Sequence, residues 1–154
     1  MLADLFKPAW KSSAAEKRLN AVATMDSTSP DMQVILLELA RQDEDPAIRI
    51  AAIQKITSID QLHEMSLSPA EDPVQQEATR RVNELLSASR SLDQQQYQDL
   101  LRRYPELKLR IAAHADEATV RNESLHSLSN EELLEVLAAT VFTDTRQLIA
   151  EQLA

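Results

Sequence analysis

The fold is decided by residues 41–53, which read RQDEDPAIRIAAI. An apolar helix ends near Gln42, a short acidic link follows, and Asp45 and Pro46 begin a second helix. An acidic residue followed by proline is a strong helix-start signal. The side-chain oxygen accepts an otherwise unpaired backbone N–H, and proline already has the φ that a helix requires.

The same start signal stands one helix earlier, at Ser29 and Pro30, in front of a leucine-rich run. We therefore predict one helix over about 30–42 and a second from 46 to about 57. The link between them is so short that the two helices must be antiparallel neighbours. Residues 41–53 thus predict a helical hairpin.

The rest of the composition agrees with a helical protein, because the 154 residues contain no glycine and no cysteine. Phosphate loops, dinucleotide-binding turns and tight β-hairpins depend on glycine for positive φ or close backbone approach. Aromatic residues make up only 3% of the chain, and the apolar content is mainly alanine, leucine, isoleucine and valine. We predict an all-α fold of about ten short helices.

The hairpin signature recurs along the chain. Residues 17–22 (KRLNAV) resemble residues 48–53 (IRIAAI), and Asp116 with Arg121 resembles Asp45 with Arg49 at one residue longer spacing. Asp144 and Arg146 form a shorter version. Self-similarity of this kind is typical of helical repeat proteins, in which stacked hairpins share one continuous core.

An apolar helix that ends near Asp-x-Asp-Pro, followed by Ile-Arg-x-Ala-Ala-Ile, resembles a HEAT repeat, in the short form of phycobilisome-lyase-like proteins. The resemblance covers residues 14–154 and implies a right-handed α-α superhelix of four to five hairpins, with an inserted helix near 93–104. It also implies a structural ladder of hydrogen bonds between repeats, carried by Asp45 with Arg49 and by Asp116 with Arg121.

The opening residues 5–10 (LFKPAW), followed by a helical array, are also similar to the N-terminal part of larger uncharacterised proteobacterial proteins. We expect residues 1–13 to pack on the first repeat, with Phe6 and Trp10 covering its exposed end. An amphipathic membrane anchor is the alternative for this segment, although Pro8 breaks its pattern.

Charge and hydropathy restrict the partners. Sixteen Lys and Arg stand against 25 Asp and Glu, a net charge of -9, which opposes the phosphate neutralisation that drives most nucleic-acid binding. No stretch has the roughly 18 apolar residues that a membrane span requires. The absence of cysteine fits a reducing compartment, so we expect a cytoplasmic protein.

No catalytic, cofactor-binding or metal-binding residue is predicted. The histidines are His63, His114 and His126, and they lack any two-histidine ligand spacing. Glu123 and His126 form a single Glu-x-x-His, whereas a di-iron bundle needs two copies. The carboxylate pairs fall at predicted helix N-termini, where negative charge is stabilised by the helix dipole.

We therefore predict a non-enzymatic scaffold for a protein or peptide partner, without a cofactor. Its partner-binding face would be built from basic residues of the second helices: Arg18, Arg49, Lys55, Arg80 and Arg81. One alternative is a small-molecule-binding or lyase-like accessory protein with a ligand cleft between repeats. Another is the N-terminal module of a longer helical protein, in which a downstream domain of the same chain is the partner.

Overall fold

A computed structural model describes residues 7–68, 72–88 and 92–154. Within these ranges the chain forms ten α-helices and two short 3-10 helices, and no strand. The prediction of an all-α protein of about ten helices is confirmed. Leu5 and Phe6, on which part of the N-terminal prediction rests, lie outside the described residues.

The helices follow one another through short links. They are α1 (Ala15–Thr24), α2 (Pro30–Gln42), α3 (Pro46–Ile53), α4 (Ile59–Ser66), α5 (Pro73–Ser87), α6 (Gln94–Arg103), α7 (Lys108–His114), α8 (Ala118–Glu123), α9 (Asn130–Ala139) and α10 (Thr143–Leu153). The 3-10 helices are Ala9–Lys11 and Pro105–Leu107. Helix α6 occupies the position of the predicted inserted helix.

The chain divides into two compact units, Met1–Val82 and Asn83–Ala154. In the first unit α2 and α3 pack closely together, and α1 packs on α3. Both helices begin at the predicted start signals: Ser29 Oγ accepts from the Met32 N–H, and Asp45 Oδ1 accepts from the Ala47 N–H. Because the link between the two helices is short, they lie side by side. The apolar residues of these helices that become buried are Val22, Leu36, Leu39, Ala40, Ile48, Ala52 and Ile53.

The second unit is also built from helices that are close in sequence and pack on one another. Helix α7 packs against α8 and α9, and α10 packs against α8 and α9. Ser129 and Glu132 form a capping box at the start of α9, with both reciprocal hydrogen bonds present. The core of this unit is a cluster of buried apolar residues: Ala112, Ala113, Leu125, Leu133, Val136 and Ile149. Packing between sequential helices in each unit is compatible with a solenoid.

One helix ends earlier than its sequence predicts. Helix α3 stops at Ile53 rather than near Thr57, because the Gln33 side chain holds the following turn. Gln33 Nε2 donates to the carbonyl of Lys55 at 2.9 Å, and Gln33 Oε1 accepts from the Thr57 N–H at 3.1 Å. A contact from 24 residues away thus competes with the helical hydrogen bonds that local pattern favours.

None of the helices in the described ranges combines the length and the apolar character needed to cross a membrane.

Candidate functional site

Trp10 is the only tryptophan of the chain, and it lies partly exposed in the first unit. It belongs to the 3-10 helix Ala9–Lys11, which begins after Pro8 and packs on α1. The ammonium of Lys11 lies 4.7 Å from the centroid of the Trp10 ring, a cation–π contact. Trp10 is therefore held on the surface by local structure and by α1.

Two concavities meet at this tryptophan. The first has a volume of about 400 Å³ and carries charged groups of both signs; its walls are Lys7, Trp10, Lys11, Glu38, Leu39, Gln42 and Asp43. The second has a volume of about 470 Å³; its walls are Ala9, Trp10, Ala21, Thr24, Met25, Asp26, Ser29 and Met32. Trp10 is the residue that both concavities share.

The polar residues of the second concavity make hydrogen bonds within the chain. Thr24 Oγ1 donates to the Ala21 carbonyl, and Ser29 Oγ caps α2. Asp26 accepts from the hydroxyl and the backbone N–H of Thr28, and these two hydrogen bonds hold the pKa of Asp26 below its ordinary value. What this concavity offers to a ligand is therefore mainly apolar surface. We call the apolar set the Trp10 surface: Ala9, Trp10, Ala21, Met25 and Met32.

A buried ion pair lies behind the first concavity. Arg18 is only 7% exposed, and its Nε and Nη2 donate to Asp43 Oδ2 and Oδ1 at 2.9 and 3.1 Å. Its Nη1 donates to the carbonyls of Ser12 and Ser13 at 3.0 and 3.2 Å. The hydrogen bond with Asp43 raises the pKa of Arg18. Burial opposes ionisation of Asp43, but the hydrogen bonds from Arg18 and from the Asp45 N–H outweigh it and lower the pKa of Asp43.

The second unit contains an equivalent arrangement. Arg121 is 3% exposed, and its Nη2 donates to Asp144 Oδ1 and Oδ2 at 3.0 and 3.1 Å. Its Nη1 donates to the carbonyls of Ala115 and Asp116 at 2.8 and 3.0 Å. The guanidinium also lies 3.6 Å from the centroid of the Phe142 ring. Hydrogen bonds from Asn122 and from Arg121 hold the pKa of Asp144 below its ordinary value, against a smaller opposing effect of burial.

The two arginines use the same pattern of contacts. In each case one Nη donates to the carbonyls six and five residues before the arginine. The carboxylate lies 25 residues after Arg18 and 23 residues after Arg121. Both carboxylates stand at or just before the start of a helix, Asp43 before α3 and Asp144 in the first turn of α10. The hydrogen-bond pattern of Arg18 in the first unit thus recurs at Arg121 in the second unit.

The residues of the predicted hydrogen-bond ladder are only partly joined to one another. Asp45 caps α3, while Arg49 Nε donates to the Ala40 carbonyl at 3.1 Å. The side chains of Asp45 and Arg49 therefore make separate hydrogen bonds, although the Arg49 N–H donates to the Asp45 carbonyl at 3.2 Å at the start of α3. It does join Asp116 to Arg121, through the backbone carbonyl of Asp116. The acidic partners of the two buried arginines, Asp43 and Asp144, were not identified from the sequence.

The residues of the predicted basic face are engaged in contacts within the chain. Lys55 Nζ donates to the carbonyls of Ala23 and Met25 at 2.7 and 2.9 Å, at the C-terminal end of α1. Arg81 Nε donates to the Ile56 carbonyl at 3.2 Å, and Arg80 pairs with Glu77. The Arg80 side chain remains 51% exposed, whereas Arg18 is buried in its ion pair. Of these residues Arg80 is the clearest candidate for direct contact with a partner.

The histidines are not brought together as a ligand set. His63 is 2% exposed and lies beside Ser66, whose Oγ is 3.5 Å from His63 Nδ1. His114 is half-buried on α7, and His126 is exposed after α8. Across the described ranges, no group of three or more His, Cys, Asp or Glu residues is placed to hold a metal ion.

No family model, no curated protein and no solved structure matches this chain.

Proposed function

We propose that this protein is a non-enzymatic interaction scaffold that binds a protein or peptide partner on the Trp10 surface. The observation that carries the proposal is the partial exposure of the only tryptophan between two concavities, beside Met25 and Met32. Tryptophan and methionine are enriched where proteins meet, because both offer a large, polarisable apolar area.

The chemistry of the surface indicates what kind of partner fits. An apolar side chain of the partner would enter the 470 Å³ concavity and cover Trp10, while polar groups of the partner meet Lys7, Lys11 and Glu38 along the other concavity. An apolar centre with a polar rim is the usual anatomy of a binding site with a few dominant residues. We expect an amphipathic segment with one or two bulky apolar anchors.

We further propose that the helical hairpins of each unit are HEAT-like repeats. The matching contacts of Arg18 with Asp43 and of Arg121 with Asp144 support this interpretation, because each joins one helix to the start of a later one. In such an array the arginines stabilise the stack and the exposed residues are left for binding.

The experiment is capture of partners from lysate with wild-type protein, followed by identification and binding measurements with the purified partner. Trp10→Ala should weaken binding about tenfold or more, as expected for a central anchor. Val141→Ala is the matched control, since Val141 is 85% exposed and lies in the second unit. Arg80→Glu separates the Trp10 surface from the predicted basic face. Full affinity of a folded Trp10→Ala protein for every partner would refute the proposal.

A small-molecule-binding protein is the second candidate, and the volume of the concavity beside Met25 and Met32 favours it. Pockets that bind compounds of drug size have volumes of roughly 300 Å³ or more and bury most of the compound's surface. This function predicts a saturable rise in melting temperature with a particular apolar metabolite. That rise should be absent in Met32→Gln, while a scaffold would show no metabolite dependence.

A further inference from the structure

Arg49 stands in its helix at the same position as the two buried arginines. Arg18, Arg49 and Arg121 each come four residues after the N-cap residue of their helices, α1, α3 and α8. Asp72 follows Arg49 by 23 residues, which is also the separation of Asp144 from Arg121. By this correspondence, Arg49 is expected to hold Asp72 as Arg121 holds Asp144.

The structure leaves this third pair open. Arg49 Nε donates to the Ala40 carbonyl at 3.1 Å, and this is the one side-chain hydrogen bond of Arg49 among the described residues. Asp72 Oδ1 accepts from the Gln75 N–H at 2.7 Å, at the start of α5. Both side chains are partly exposed, and neither has a buried nitrogen or oxygen that lacks a partner. The Nη groups of Arg49 and the Oδ2 of Asp72 are therefore accessible to solvent.

Arg49 and Asp72 line one concavity with a volume of about 190 Å³. Its apolar wall includes Ala40, Met65 and Val74. At roughly 30 Å³ per water molecule, the space equals about six waters, which suits a molecule of the size of a small amino acid. The concavity shares no residue with the two concavities at Trp10.

Charges of both signs line this concavity. Its cationic residues are Arg41 and Arg49, and its anionic residues are Glu64 and Asp72. Arg41 Nη2 donates to Gln61 Oε1, and the side chains of Arg41 and Glu64 are exposed. In the part of the chain that the structure describes, none of the four charged residues forms an ion pair. Both kinds of charge are therefore left for a ligand of complementary charge.

We propose that this concavity binds a small free amino acid, a zwitterion with one carboxylate and one ammonium group. Arg49 and Arg41 hold the carboxylate, because the planar guanidinium matches its two oxygens. Glu64 and the Oδ2 of Asp72 accept from the ammonium, which has three N–H donors. The side chain of the ligand packs on the apolar wall at Val74. The bound zwitterion thus links the charges of Arg49 and Asp72, which do not meet directly.

The first test compares an amino acid with its two singly charged halves. The probes are alanine, propionate and ethylammonium, added to labelled full-length protein at matched ionic strength. Alanine should shift the Arg49 Nε–H signal in NMR spectra saturably. It should bind about tenfold more tightly than either half, because each half lacks one set of charge-assisted hydrogen bonds. Absence of saturation with alanine, or equal affinity for propionate and alanine, would overturn the proposal.

The second test uses substitutions that remove one charge of the site without removing the fold. Asp72→Asn keeps a side-chain acceptor for the Gln75 N–H, and Arg41→Gln changes an exposed side chain. Each should weaken alanine binding about tenfold. The controls Glu135→Gln and Arg102→Gln change exposed residues of the second unit and should bind as wild type. Undiminished binding in both site variants, or an equal loss in the controls, contradicts the proposal. Either result leaves the test of Trp10→Ala with a protein partner unaffected, so the two proposals fail separately.

Discussion

The Arg121 guanidinium donates to both carboxylate oxygens of Asp144 while remaining only 3% exposed. Asp144 is 48% exposed at its side chain, so the pair joins a buried cation in α8 to an anion at the surface end of α10. Because the same guanidinium also holds two backbone carbonyls and Thr145, it connects three segments of the second unit. The two buried arginines, Arg18 and Arg121, therefore have a structural role.

Removal of the Arg121 guanidinium should lower the free energy of unfolding. Arg121→Met keeps the apolar stem but leaves the carbonyls of Ala115 and Asp116 without their donor, so we expect a loss of about 3 kcal/mol in the free energy of unfolding. Urea denaturation followed by circular dichroism measures it. Arg102→Gln, which breaks an exposed pair with Asp99, should cost under about 1 kcal/mol. Equal effects of the two substitutions would contradict the role given to Arg121.

The Asp43 carboxylate should make the protein sensitive to acid. Its pKa is lower in the folded state than in the unfolded state, so the unfolded state binds the proton more readily. The stabilisation is therefore complete above the ordinary carboxylate pKa of about 3.9 and is lost as the pH falls through the lower folded value. Asp43→Asn should be less stable than wild type at neutral pH, and the difference should shrink below about pH 4. Denaturation midpoints over this pH range test it; a constant difference would contradict it.

His114 should make the stability of the protein depend on pH in a range closer to neutrality than that of Asp43. Burial, together with the Arg110 charge, holds its pKa below the ordinary value of 6.5. The unfolded state therefore binds more protons between the folded pKa and about 6.5, and stability falls as the pH decreases through that interval. In phosphate-free buffer, His114→Gln should lose this part of the pH dependence while keeping the steeper loss below about pH 4. A slope unchanged by the substitution would show that His114 is not held neutral.

The fold could be predicted where the signals are local. Pro30 and Pro46 fix helix starts through their own φ and the oxygens before them, and α2 and α3 begin at these two residues. The end of α3 could not be predicted, because the Gln33 side chain that holds the following turn comes from another helix. Tertiary contacts of this kind have no signature in a sequence window.

The site was harder to predict than the fold. The acidic run 43–45 offers three carboxylates within two residues of one another, and spacing alone does not tell which of them meets Arg18. Burial decides it: the Asp43 side chain is 4% exposed beside Arg18, while Asp45 is used as the cap of α3. Met25 and Met32 line one concavity with Trp10 because the chain folds so that the 3-10 helix packs on α1, a placement that periodicity does not reveal.

The most direct test of the interaction proposal is the fluorescence of Trp10 during titration with a purified partner. Because Trp10 is the only tryptophan, all tryptophan fluorescence comes from Trp10 when the partner contains no tryptophan. Binding on the Trp10 surface should move the emission to shorter wavelength and protect the ring from acrylamide quenching, with saturation at the stoichiometry found by calorimetry. Unchanged emission and unchanged quenching at full calorimetric saturation would place the partner elsewhere and contradict the account.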